Sequence, residues 1–79
     1  MEKIIVNGVT FTQKLGQGEK WTCRKGKLFI KIHDEGFGFW SITAHNKNEN
    51  FSWYSDKAWK GLDKAIKFAS KFDQKKYPN

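Results

Sequence analysis

The chain has 79 residues, 15 lysine and arginine against 8 aspartate and glutamate, and a net charge of +7. That length leaves room for one domain, residues 1–79, with a modest core, to which four Trp, seven Phe and two Tyr contribute most of the area. The charge favours polyanionic partners, nucleic acid first and an acidic protein surface second. A single arginine, Arg24, argues for phosphate-directed rather than base-specific contact, because bidentate base reading is what arginine does best. Cys23 stands alone, so no intramolecular disulfide forms. The start "MEKIIVNG" turns polar too soon for a signal peptide, and no apolar run has the length of a membrane span. A soluble, cytoplasmic protein without membrane association is the expectation.

In chain order, "KIIVNGVTF" reads as two β-branched runs joined by Asn7-Gly8, a hairpin signal. "TQKLGQGEK", with Gly16 and Gly18, reads as a loop. "KWTCR" (20–24) alternates, Lys25-Gly26 turns into "KLFIKIH" (27–33), and Asp34-Glu35-Gly36 turns into "FGFWSITA" (37–44). "HNKNEN" is a polar loop and "FSWY" (51–54) a short last strand. From Asp56 to Lys76 the pattern predicts one helix, capped at its start by Ser55 or Asp56 and stopped by Pro78. Ala58, Leu62, Ala65, Ile66, Ala69 and Phe72 share its apolar face. Lys57, Lys60, Lys64, Lys67, Lys71 and Lys75 share a separate arc of about 80°. Phe68 borders those lysines. The predicted class is α+β: an antiparallel sheet of three to five strands with an N-terminal hairpin, and one C-terminal amphipathic helix packed on one face.

The other sheet face would be open, and alternation assigns it. Trp21, Cys23, Leu28, Ile30, Ile32, Trp40, Ile42 and Ala44 point to the helix. Lys20, Arg24, Lys27, Phe29, Lys31, Phe37 and Phe39 point away, interleaving rings with cations. Rings stack bases while cations hold phosphates, so this face is a candidate surface for single-stranded nucleic acid. The helix residues Lys57, Lys60, Lys64, Lys67 and Lys71 are candidate phosphate contacts. His33, Asp34, Glu35, His45 and Cys23 have no zinc-ligand spacing, and there is no P-loop or nucleophile-base motif. A non-enzymatic protein without metal or cofactor is therefore expected.

Within this face, "EGFGFWSI" (35–42) resembles the RNP1 motif of cold-shock domains and RNA-recognition motifs. "FIKIHDEGFGFWSIT" is similar to the first hairpin of a cold-shock domain. Two positions depart from the motif, Glu35 where a basic residue is common and Trp40 where a small aliphatic is. The resemblance implies that Phe37 and Phe39 stack on bases, with Phe29 or Lys31 beside them, and that the ligand is DNA or RNA. An alternative reading is an accessory protein of a phage or mobile element, anti-CRISPR-like in role, that binds a host protein or nucleoprotein complex. Open sheet edges also allow a homodimer.

Overall fold

The computed structural model describes residues 2–13 and 20–77. Gly16, Gly18 and Pro78 lie outside them. The chain forms β1 (Lys3–Val6), β2 (Val9–Gln13), β3 (Lys20–Lys25), β4 (Leu28–Gly36), β5 (Phe39–Asn46), β6 (Phe51–Tyr54), β7 (Trp59–Lys60) and α1 (Leu62–Ser70). Short 3₁₀ turns occupy Lys47–Glu49 and Gln74–Lys76. All strand pairs are antiparallel, in the order β1-β2-β3-β4-β5-β6, with β7 pairing the start of β5. Among the described residues the sheet thus has seven strands rather than the predicted three to five.

Alternation decides the two faces. Ile30, Ile32, Ile42 and Ala44 are completely shielded, and Trp21, Cys23, Leu28 and Trp40 are buried with them, as the sequence pattern requires. Burying each large aliphatic contributes about 1.5–3 kcal/mol. Ala65, Ile66, Ala69 and Phe72 of the helix segment close over this face. Two alanines at a spacing of four let the helix lie close to the strands. Because α1 touches β1 as well as β4, β5 and β7, the sheet curls around it.

The helix is much shorter than the predicted span of Asp56 to Lys76. Residues 56–57 form a bend, and Trp59-Lys60 pair with Phe39-Trp40 as β7 instead. Gly61 then turns the chain at φ +101, a conformation that L side chains rarely adopt, and it is the N-cap. Ser55 is not a cap: its Oγ accepts a hydrogen bond from the Ile42 backbone N–H at 3.0 Å. Ala58 is exposed, not on a buried stripe. At the other end Lys71 is the C-cap, and Asp73 restarts the chain by capping the 3₁₀ turn through the Lys75 N–H at 3.0 Å. The lysine row is therefore not one helical stripe. Lys64 and Lys67 lie on α1 and Lys71 caps it, Lys57 is in the bend, Lys60 in β7, and Lys75 in the last turn.

The C-terminal carbonyls of α1 are satisfied from the sheet. Lys25 Nζ donates to Ser70 O at 3.0 Å and to Phe72 O at 2.8 Å. A cation suits the negative end of a helix, and here it is also geometrically paired. Asn7 Nδ2, in the first hairpin turn, donates to Ser70 Oγ at 2.9 Å, and Ser70 Oγ donates to Lys67 O at 2.8 Å. Replacing Lys25 by Met keeps the aliphatic stem and removes both bonds. We expect Lys25→Met to lower the unfolding free energy by about 1–2 kcal/mol with an unchanged urea m-value. A loss below ~0.3 kcal/mol would show that this latch carries no stability.

Candidate nucleic-acid interface

The strand register sorts the outward side chains into rows across the sheet. One row runs through every strand from β1 to β6: Lys3, Thr12, Thr22, Lys31, Thr43 and Tyr54. Beside it lies Arg24, Phe29, His45 and Ser52, and on the other side Lys20, His33 and Ser41. Directly opposed side chains in such rows have Cβ atoms about 4.5–5.5 Å apart, so each row is a continuous strip of contacts.

Phe29 is the centre of this face. The Arg24 guanidinium lies 4.6 Å from its ring centroid and the Lys31 ammonium 5.4 Å. Both are cation–π distances, which hold two charges over an apolar platform and leave their outer sides for an anion. With Lys27, His45 and Lys47 these residues line an open concavity of ≈ 510 Å³. His45 packs edge-on against Tyr54 at 5.6 Å, and its Nδ1 lies 3.3 Å from Ser52 Oγ. His33 Nε2 lies 3.2 Å from Thr43 Oγ1. Phe29, Lys20 and Lys31 are half-buried, while Arg24 and Lys27 are exposed.

Of the predicted face, Lys20, Arg24, Phe29 and Lys31 lie together on β3 and β4, and Lys27 joins them from the intervening turn. Phe39 is on β5, 40% exposed, opposite Lys60 of β7. Phe37 is not on the sheet face. Asp34 to Gly36 is not a turn but the bulged end of β4, and the turn is Phe37-Gly38, with Phe37 at its tip. Among the rings of "EGFGFWSI", Phe39 is the one on a strand's outward side, since Trp40 is buried. Alternation already turned Thr22 and His33 outward without their being counted as contacts, and sequence reasoning missed Thr12, His45 and Tyr54 as parts of the face. Their outward register was available from alternation, and their polar or small side chains gave no charge signal.

The remaining lysines surround a different surface. Lys64, Lys67, Lys71 and Lys76 rim a groove of ≈ 380 Å³ whose floor includes Phe68, Phe72 and Tyr77. Phe68 is not a free anchor: it stacks on Trp53 at 5.9 Å and tilts against Trp59 at 4.7 Å. Phe72 stacks on Tyr77 at 5.0 Å, and Lys57 lies 5.5 Å over the Trp59 ring. Among the described residues no three His, Cys, Asp or Glu side chains converge as a metal site, and no helix is long and apolar enough to cross a membrane. Burial pushes the Cys23 thiol up to about 11. Comparison with known proteins finds no matching family model, no matching curated protein and no matching solved structure. The functional reading therefore rests on the geometry of these surfaces.

Partial burial, then Lys20 and Lys31, hold the His33 imidazole below its ordinary 6.5, with His45 adding a little and Glu35 opposing. A folded-state value below the unfolded one means that charging His33 is harder in the folded chain. Its neutral form is fully compatible with the fold above about pH 6.5, and stability is lost as pH falls below that. Urea unfolding of the wild type and His33→Gln at pH 7.5 and 5.5 checks this. The wild type should lose more stability across that interval than the variant, and equal losses would remove His33 as the cause.

Proposed function

We propose that this chain is a small non-enzymatic nucleic-acid-binding protein that carries a single strand across the outer face of its sheet. The observation that supports this reading best is the Arg24–Phe29–Lys31 cluster, a ring held between two cations on a face that no helix of the described residues covers. The cations meet phosphates and the aromatic platform meets bases, while the threonine row provides hydroxyl donors and acceptors that suit either. With only one arginine on the face, the expected binding is salt-dependent and weakly sequence-specific. The ring-displaying RNP1-like segment and a cytoplasmic setting belong to the same reading.

A second reading comes from the groove around Phe68, Phe72 and Tyr77. Four lysines over an aromatic floor suit an acidic protein partner, as an inhibitor or adaptor module of a phage or mobile element would need. The rings of that floor are engaged with one another, which favours side-chain insertion over base stacking.

Fluorescence-anisotropy titration against labelled single-stranded DNA and RNA, between 50 and 200 mM salt, tests the first reading. The double variant Arg24→Ala/Lys31→Ala should bind at least about tenfold more weakly and lower the log–log salt slope by about 1.4, two contacts at 0.7 each. Lys64→Ala/Lys67→Ala, on the far side, should change little. If the far-side pair carries the loss instead, the interface is the helix groove. No binding by the folded wild type at low salt would eliminate the nucleic-acid reading.

A further inference from the structure

The protein has two hairpins closed by the same kind of turn. Asn7-Gly8 joins β1 to β2 with φ of +51 and +77, and Phe37-Gly38 joins β4 to β5 with φ of +55 and +81. Positive φ at both central residues is the turn that matches the strand twist, and Asn-Gly is the pair that best tolerates it. The third described non-glycine residue at positive φ is also an asparagine, Asn50. Phenylalanine is the exception, since a bulky side chain is strained in the left-handed region. Its ring gains nothing in return from the fold. Phe37 is 99% exposed, whereas its counterpart Asn7 reaches Ser70. Exposed apolar surface and backbone strain at one residue coincide where function demands them.

The tip is built to hold that ring outward. Gly36 and Gly38 flank it at φ +88 and +81. The two acids beside it are turned to the hairpin itself: Asp34 Oδ1 accepts the Gly36 N–H at 2.8 Å and Glu35 Oε2 accepts the Ser41 hydroxyl at 2.7 Å. Among the described residues the turn itself has no cation, Lys60 of β7 lying one position back opposite Phe39, so the Phe37 ring at the tip meets a nucleic acid through bases rather than phosphates. It lies at the end of the outer face. The outward positions of β5 run His45, Thr43, Ser41, Phe39, and the turn with Phe37 follows beyond them, about 26 Å from the Phe29 row at 3.3 Å per residue.

Resting on the proposed nucleic-acid reading, we infer that the β4–β5 tip is a base-insertion wedge: the Phe37 ring enters the stack between adjacent bases of the strand that the outer face holds. The ligand site is a gap between bases, and the contact is apolar and independent of salt.

Phe37→Asn recreates the turn of the first hairpin and tests this with two opposing readouts. Thermal melting should rise by about 4–8 °C as strain is relieved. Affinity for a single-stranded DNA oligonucleotide should fall roughly tenfold with no change in salt slope. With 2-aminopurine in the oligonucleotide, wild-type binding should raise its fluorescence by unstacking, and the variant should not. An unchanged affinity and an unchanged fluorescence response in the variant, while Arg24→Ala/Lys31→Ala still weakens binding, would overturn the wedge alone and leave the ring to a protein or membrane partner. A wild type that binds no strand would overturn both readings. A variant that binds normally but melts lower would show that Phe37 serves the fold.

Discussion

The register of β3, β4 and β5 is the constraint on which the molecule depends. Ile30, Ile32 and Ile42 are wholly buried against α1, and each sits between outward residues on the same strand. Because the side-chain period of a strand is two, a slip of one residue would put Phe29, Lys31 and His33 into the core and the isoleucines into water. Burying the Lys31 charge unpaired, with the His33 imidazole beside it, would then oppose folding far more strongly than the slip could relieve any strain. The outer face is thus positioned by the inner one. The cation–π cluster around Phe29 needs no tight packing of its own, because Arg24 and Phe29 are register partners and Lys31 is two residues along the same strand.

This explains what could be read in advance. Strands with one wet and one dry face advertise it by alternation, and the eight inward residues of β3, β4 and β5 were legible together with Lys20, Arg24, Phe29 and Lys31 on the other side. Asn7-Gly8 was legible because the turn chemistry is local. The helix boundaries were not. Apolar residues happen to keep a helical period through Ala58 and Leu62, but Trp59 gains more by pairing opposite Trp40 and packing on Phe68 than a further helical turn would offer. Tertiary contact overrides propensity there, and Gly61 makes the change of direction feasible. Phe37 was misplaced for a related reason. The Asp34-Glu35-Gly36 sequence looks like a turn, whereas a bulge lets β4 absorb those residues and moves the turn to a phenylalanine, a position composition would never suggest.

A nine-residue helix is far too short to persist alone. It is held by alanines on its buried side, by Lys25 across its last carbonyls, and by the aromatic layer of Trp53, Trp59, Phe68, Phe72 and Tyr77 along its flank. That layer also decides where the helix lysines go. Lys64, Lys67 and Lys71 rim the groove around buried Phe72 and half-buried Phe68 and Tyr77, so their charge faces the side opposite the Phe29 cluster. A short ligand on the outer face would not reach them. Their field still acts over roughly a Debye length, about 8 Å at physiological salt, which is enough to enrich anions near the molecule but not to set their orientation.

Orientation must then come from the outer face itself, and its chemistry is graded along the β4–β5 hairpin. Near the base of the hairpin, Arg24, Lys27, Lys31 and Lys47 concentrate positive charge around a single ring. In the middle, Thr43, Ser41 and His33 are neutral hydrogen-bonding groups. Toward the tip, Phe39 and Phe37 are apolar, with Lys60 opposite Phe39 and the carboxylates of Asp34 and Glu35 nearby. A polyanion with planar bases feels strong attraction for its backbone at one end and for its bases at the other. A simple polyanion, such as an acidic peptide without rings, gains only the first. On the proposed reading, the gradient would suit a ligand that is both charged and aromatic along its length, and this distinguishes the outer face from the helix groove, whose rim is basic apart from Asp73.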